Sequence, residues 1–194
     1  MKKSLLFLFF ILLSFSSSVV TAQTEFNVDG VIVPRKIEFK GNTLQLNGFG
    51  TRSKMFMEVY VQALYLTMVS QNPDDIMESN TDMAIRIQIT SSMVSSGKLT
   101  KNLHNGFEKS SGDAIDALRP RIEQFKAMLS DKIVEKDVFN LIYNHLDSSV
   151  WVYKNDVLKG IVPGFDFKKA LFGIWLSNKP VDDDLKNELL GKTE

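Results

Sequence analysis

Between residues 56 and 66 apolar and polar positions alternate over a run long enough for a full strand. Met57, Val59, Val61, Ala63 and Tyr65 share one parity, and Phe56, Glu58, Tyr60, Gln62, Leu64 and Leu66 the other. Successive strand side chains point to opposite faces, so the first set is expected against a core and the second on a mixed face able to line a cavity. Shorter β-type runs at 31–33, 37–39 and 44–46 precede it, separated by the turn formers Pro34 and Gly41-Asn42. Another alternating run, 83–90, follows with Met83, Ile85, Ile87 and Ile89 on one side.

From Ser95 the period becomes helical. Leu99, Leu103 and Phe107 recur every four residues, with Gly106 beside them allowing a close approach. A second helix, expected to be capped by Asp113, repeats Ile115, Leu118, Ile122, Phe125 and Leu129; Pro120 predicts a kink or a new start within it. Strand character returns at 138–143, 150–153 and 157–162, and the last two flank Lys154-Asn155-Asp156 as a hairpin. Asp166 is expected to cap a helix whose Phe167, Ala170, Leu171, Ile174 and Trp175 share a face. Pro180 and Asp182–Asp184 open a short final helix, where negative charge suits the N-terminus. Strands, helices, strands and helices follow in blocks rather than alternating singly. That order predicts an α+β domain with a largely antiparallel sheet and helices packed on one face.

The first residues change the picture of where this domain works. A short basic start, an apolar run at 5–13 and the small residues Val20-Thr21-Ala22 predict an export signal, residues 1–22, cleaved near Ala22. The run is shorter than the ~20 residues of a spanning helix, so no stable membrane anchor is expected after cleavage. Residues 23–194 then form one domain, exported to a periplasm in the first reading and secreted in the second. The chain has as many acidic as basic residues, and losing Lys2 and Lys3 leaves an acidic excess, which gives no electrostatic case for nucleic acid. Without cysteine there are no disulfides and no thiolate metal sites, so the fold must rest on its core.

Several site types are set aside by spacing. His104 and His145 are the only histidines and lack partners at metal-ligand spacing; each reads as a surface or hydrogen-bonded structural group, and no metal is expected. Asp182–Asp184 read as helix capping, because three consecutive side chains diverge. No nucleophile elbow, P-loop or dinucleotide fingerprint occurs, and no cofactor is called for. Trp151 and Trp175 sit in apolar patterns and are expected in the core.

Arg52 remains, in "NGFGTRSKMFMEVYVQALYL". Gly48 and Gly50 permit backbone conformations closed to other residues, and a turn there would carry Arg52 back over its own sheet. Extended chain would hold Arg52 and Tyr60 ~26 Å apart, so they converge only if the chain reverses near Ser53-Lys54. A guanidinium beside a phenol and apolar walls suits a carboxylate or enolate with an apolar body. The blander alternative pairs Arg52 with Glu58.

Four segments carry a resemblance: "LNGFGTRSKMFMEVYVQALYL", "KLTKNLHNGFEKS", "LRPRIEQFKAML" and "GFDFKKALFGIWLSNKPVDDDLKNELLG". In this order, after an export signal, they resemble the bacterial chalcone isomerase-like family over nearly all of residues 26–191. The resemblance implies the chalcone isomerase fold with a ligand cleft between sheet and helices. It also implies either of two activities, because the family holds both enzymes and fatty-acid-binding proteins. In the enzymes an arginine at the position of Arg52 assists an intramolecular Michael addition onto an enone, where positive charge stabilises the enolate. Tyr60 stands where the enzymes carry a threonine and the fatty-acid-binding relatives a tyrosine. Asn105 matches the enzymes' asparagine, Lys98 stands at their tyrosine position, and their C-terminal threonine falls among Asp182–Asp184. The expected ligand is small and amphipathic, a fatty acid held without catalysis by Arg52, Tyr60 and Asn105. The alternative is an isomerase, an intramolecular lyase of an enone or phenolic substrate with Arg52 catalytic.

Overall fold

The computed structural model describes residues 24–54 and 57–192; the expected export segment and Phe56 lie outside them. The first strands, β1 (Glu25–Val28) and β2 (Val31–Pro34), form a separate two-stranded hairpin. Seven more make one antiparallel meander in which each strand pairs with the next in sequence. They are β3 (Lys36–Phe39), β4 (Asn42–Lys54), β5 (Met57–Leu66), β6 (Met83–Ile89), β7 (Val138–Asn144), β8 (Ser149–Lys154) and β9 (Val157–Pro163). Three of the reversals are two-residue turns with positive φ at both residues: Asp29-Gly30, Lys40-Gly41 and Asn155-Asp156. That backbone matches the right-handed twist of the flanking strands, so each turn fixes its own register.

Helices cover one face of the meander. They are α1 (Pro73–Glu78), α2 (Ser96–Ser111), α3 (Ile115–Met128), α4 (Phe165–Leu176) and α5 (Asp183–Leu189). Among them α4 is central, buried on nearly every side from Phe167 to Leu176, as an apolar helix must be. Gly106 of α2 meets it, where a Cβ would stand 2.7 Å from Ile174 Cγ2. Lys168 is fully buried in α4, and its Nζ donates to the carbonyls of Ile76, Met77 and Ser79 at 3.1, 2.7 and 2.8 Å. The ammonium thereby satisfies the open carbonyl end of α1, while burial pushes its pKa down to about 7. No helix among the described residues is long and apolar enough to cross a membrane.

The α+β arrangement with helices on one face is as the periodicity predicts, but several local expectations are corrected. Tyr65, Val61 and Ala63 do meet a core, a small one under the β1–β2 hairpin. The larger core lies on the other face, where Leu64 and Leu66 join α2, α3 and α4. Asp113 does not cap α3; it lies exposed in a single 3-10 turn at Gly112–Ala114 that joins α2 to α3 without a side-chain cap. Asp166 is not the cap of α4 either. Gly164 holds that position, and Asp166, one residue inside the helix, takes a two-pronged contact from Arg121 at 2.6 Å. Pro120 stays within α3 and starts no new helix.

The largest correction concerns the glycines. The run expected at 44–46 extends through Gly48 and Gly50 to Lys54 as one strand, and neither glycine makes a turn. Their task is space. A Cβ on Gly48 would overlap the Glu188 carbonyl oxygen, and one on Gly50 the Glu188 carboxylate. Helix α5 can therefore lie directly on β4 only because β4 has no side chains there.

Candidate functional site

The chain reverses after Lys54, and the antiparallel register sets Arg52 of β4 directly opposite Tyr60 of β5. One step further Ser53 faces Glu58, so Val59 has no partner on β4 and the strand bulges. A bulge shifts the alternation by one residue, which re-aims the side chains beyond it. Strict alternation sends Met57 and Val59 to the face opposite Tyr60; here all three line one cleft. That cleft encloses about 600 Å³ between the ends of β4, β5 and β6, helix α2 and helix α4. Its inner walls are apolar, formed by Ile87, Val94, Leu99, Leu103, Ile174 and Trp175.

Two polar groups stand at the sheet side of this apolar space. Tyr60 is buried, and its hydroxyl accepts a hydrogen bond from Trp175 Nε1 at 3.2 Å. Burial pushes the phenol pKa up; the Trp175 bond and the Arg52 charge pull it back in part, and Asp182 raises it. The phenol stays protonated at neutral pH and keeps its own O–H to donate. Arg52 is partly exposed and donates from Nη1 to the Ser53 carbonyl at 3.0 Å and to the carboxylate of Asp182. Asp182, not Glu58, is its partner. The same carboxylate caps α5 through its other oxygen, which accepts from Leu185 N at 3.1 Å. Among the described residues both bonds of Arg52 come from one nitrogen, which leaves the other donors of its fork for a second carboxylate.

Asn105 lies across the cleft from this pair, exposed on α2 at the mouth. Arg52 and Tyr60 are thus brought together and Asn105 is held apart on the opposite wall. The histidines lie elsewhere: His145 bonds the buried Asp82 at 2.7 Å, and His104 sits 3.5 Å from Glu108. No group of ligating side chains suited to a metal occurs among the described residues.

The sequence matches the chalcone isomerase-like family from residue 25 to residue 191. The chain belongs to that family. Among solved structures, this chalcone isomerase-like chain is similar to a fatty-acid binding protein of Arabidopsis thaliana, with a TM-score of 0.67 and 18% identity. The likeness covers 86% of this chain and 95% of the other, and at that identity it speaks for the fold. No curated protein matches the sequence.

Three features of this chalcone isomerase-like cleft escape sequence reasoning. Asp182 as the partner of Arg52 is separated from it by most of the chain, and only the docking of α5 brings them together. The indole bond to Tyr60 is equally long-range. The third had a visible signal: Lys101 and Lys109 recur at helical spacing with the already noted Lys98 and Asn105 on the side of α2 away from Leu99, Leu103 and Phe107, and all four line the cleft.

Proposed function

We propose that this protein binds a fatty acid or similar amphipathic carboxylate without catalysis, with the head group at Arg52 and Tyr60 and Asn105 at the mouth. The observation that carries the reading is the pairing of a protonated, buried phenol with an arginine fork at the edge of an apolar cleft. The phenol donates one hydrogen bond and the fork offers two, a set that matches a carboxylate, while the apolar walls take the chain. The name of the Arabidopsis relative, a fatty-acid binding protein, supports the same ligand class. The enzyme reading asks Arg52 to stabilise an enolate. Asp182 offsets part of that charge, which weakens the hold of the guanidinium on a developing oxyanion and on a bound carboxylate alike. We further propose that the domain is exported, the reading favoured by residues 1–22.

Equilibrium titration with a fluorescent fatty acid tests the site. Arg52→Ala is expected to weaken binding at least ten-fold, about the loss of one charge-assisted pair. Equal affinity in both proteins would remove Arg52 from the head group. Turnover of a chalcone panel, abolished by the same substitution, would favour the isomerase instead.

A further inference from the structure

The mouth of the cleft has a chemistry that a carboxylate-binding interior does not require. Among the described residues the charged side chains that line the cleft besides Arg52 are Lys54, Lys98, Lys101 and Lys109, and none of the lining is acidic. These lysines are concentrated at one place in a chain whose acidic and basic residues are equal in number. Lys101 and Lys109 have no carboxylate within ion-pair distance among the described residues, and Lys98 bonds only the Met93 carbonyl at 3.1 Å. Beside them two methionines of the lining are exposed, Met57 to 43% and Met93 to 54%. Of the nearby acids, Asp182 is on Arg52, Glu108 faces His104, and Glu58, exposed beside Met57, is not part of the lining.

Unpaired lysines around exposed, flexible apolar tips make a surface complementary to a layer with negative charge outside and hydrocarbon just beneath. We propose that the mouth of the cleft docks on an anionic lipid bilayer, with Lys98, Lys101 and Lys109 on the head groups and Met57 and Met93 dipping toward the acyl boundary. The opening of the cleft then faces the membrane. If the ligand reading above holds, an amphiphile passes between bilayer and cleft without crossing water; docking itself does not depend on that reading.

The chain contains no cysteine, so a single introduced one can be labelled uniquely. Met93→Cys carrying an environment-sensitive fluorophore reports on the mouth. Leu146→Cys, 77% exposed in the turn at the opposite end of the sheet, is the control. The probes are ligand-free protein with vesicles of phosphatidylcholine alone, or with about one-third phosphatidylglycerol, at low and high salt. Emission at position 93 is expected to rise with the anionic vesicles only, to fall back with salt, and to leave position 146 unchanged. Lys101→Gln with Lys109→Gln, both at exposed helix positions, is expected to weaken the partition about 25-fold, near five-fold for each lysine. Residues 1–22 are the same in every variant, so their contribution cancels in that comparison. An equal response at both positions, an equal response to neutral vesicles, or no effect of the lysine pair would each overturn the proposal. So would the same emission change with glycerol phosphate in solution, which would make the lysines a site for a free anion. Arg52→Ala should keep the salt-sensitive preference of position 93 for anionic vesicles while losing fatty-acid affinity, so failure of docking and failure of the fatty-acid reading give different results.

Discussion

Asp182 joins three roles in one carboxylate. One oxygen caps α5, the other holds Arg52, and its charge raises the pKa of Tyr60. A ligand carboxylate arriving at Arg52 therefore meets a negative charge already there. Asparagine caps a helix about as well as aspartate, so Asp182→Asn separates these roles. The helix cap survives while the competing charge disappears. If Arg52 holds the head group, Asp182→Asn should bind a fatty acid about five-fold more tightly, which corresponds to roughly 1 kcal/mol at a partly exposed site. Thermal stability should change little. Unaltered affinity in that titration would mean that the carboxylate does not reach Arg52. Arg52 and Tyr60 were legible as a pair from their place around a reversal, but Asp182 was legible only as a cap, because sequence spacing carries no information on which helix lies over which strand.

At the scale of elements, the pairing of α5 with β4 decides whether that carboxylate is present at all. The turn expected at Gly48 and Gly50 was a reasonable use of glycine conformational freedom, yet the backbone stays extended through both. What the residues lack in side chain matters more than what their backbones permit. The two positions are not equivalent. At Gly48 an added methyl would strike the backbone of α5 at Glu188 and Leu189, which can give way only if the helix moves. At Gly50 it would strike the side chain of Glu188, whose carboxylate can swing aside while its Cβ, 2.8 Å away, must give only slightly. Gly48→Ala is expected to destabilise the protein by about 2–3 kcal/mol in denaturant unfolding and to loosen Asp182 from Arg52. Gly50→Ala should cost less than half as much. Equal costs would mean that α5 does not bear on β4 as tightly as the contact at Gly48 requires. The other element-level misses have the same origin. Asp113 and Asp166 have the composition of caps, but the 3-10 link before α3 and the partner Arg121 are settled by tertiary packing.

Over the whole molecule, period-two and helical patterning was enough to give the antiparallel sheet and its helical layer, because each strand pairs with its neighbour in sequence and long-range choices are few. It did not say which face of β5 holds the larger core, since both faces turn out to be covered. This double covering divides the labour of the sheet. The face under the β1–β2 hairpin serves stability, with Tyr65 buried and its hydroxyl donating to the Pro34 carbonyl at 2.9 Å. The face under the helices holds both the main core and, where β5 bulges, the cleft. Tyr65→Phe removes one hydrogen bond on the far side of the sheet from the ligand. It should cost about 1 kcal/mol and lower Tm by roughly 2–4 °C. A fatty acid at a hundred times its Kd should raise Tm by roughly 5–10 °C, since it stabilises the folded state by about 2.7 kcal/mol. That rise should be the same in Tyr65→Phe and in the unaltered protein, and smaller in Arg52→Ala. A ligand-induced shift that shrinks in Tyr65→Phe would show that the two faces are coupled, and that the hairpin side takes part in binding after all.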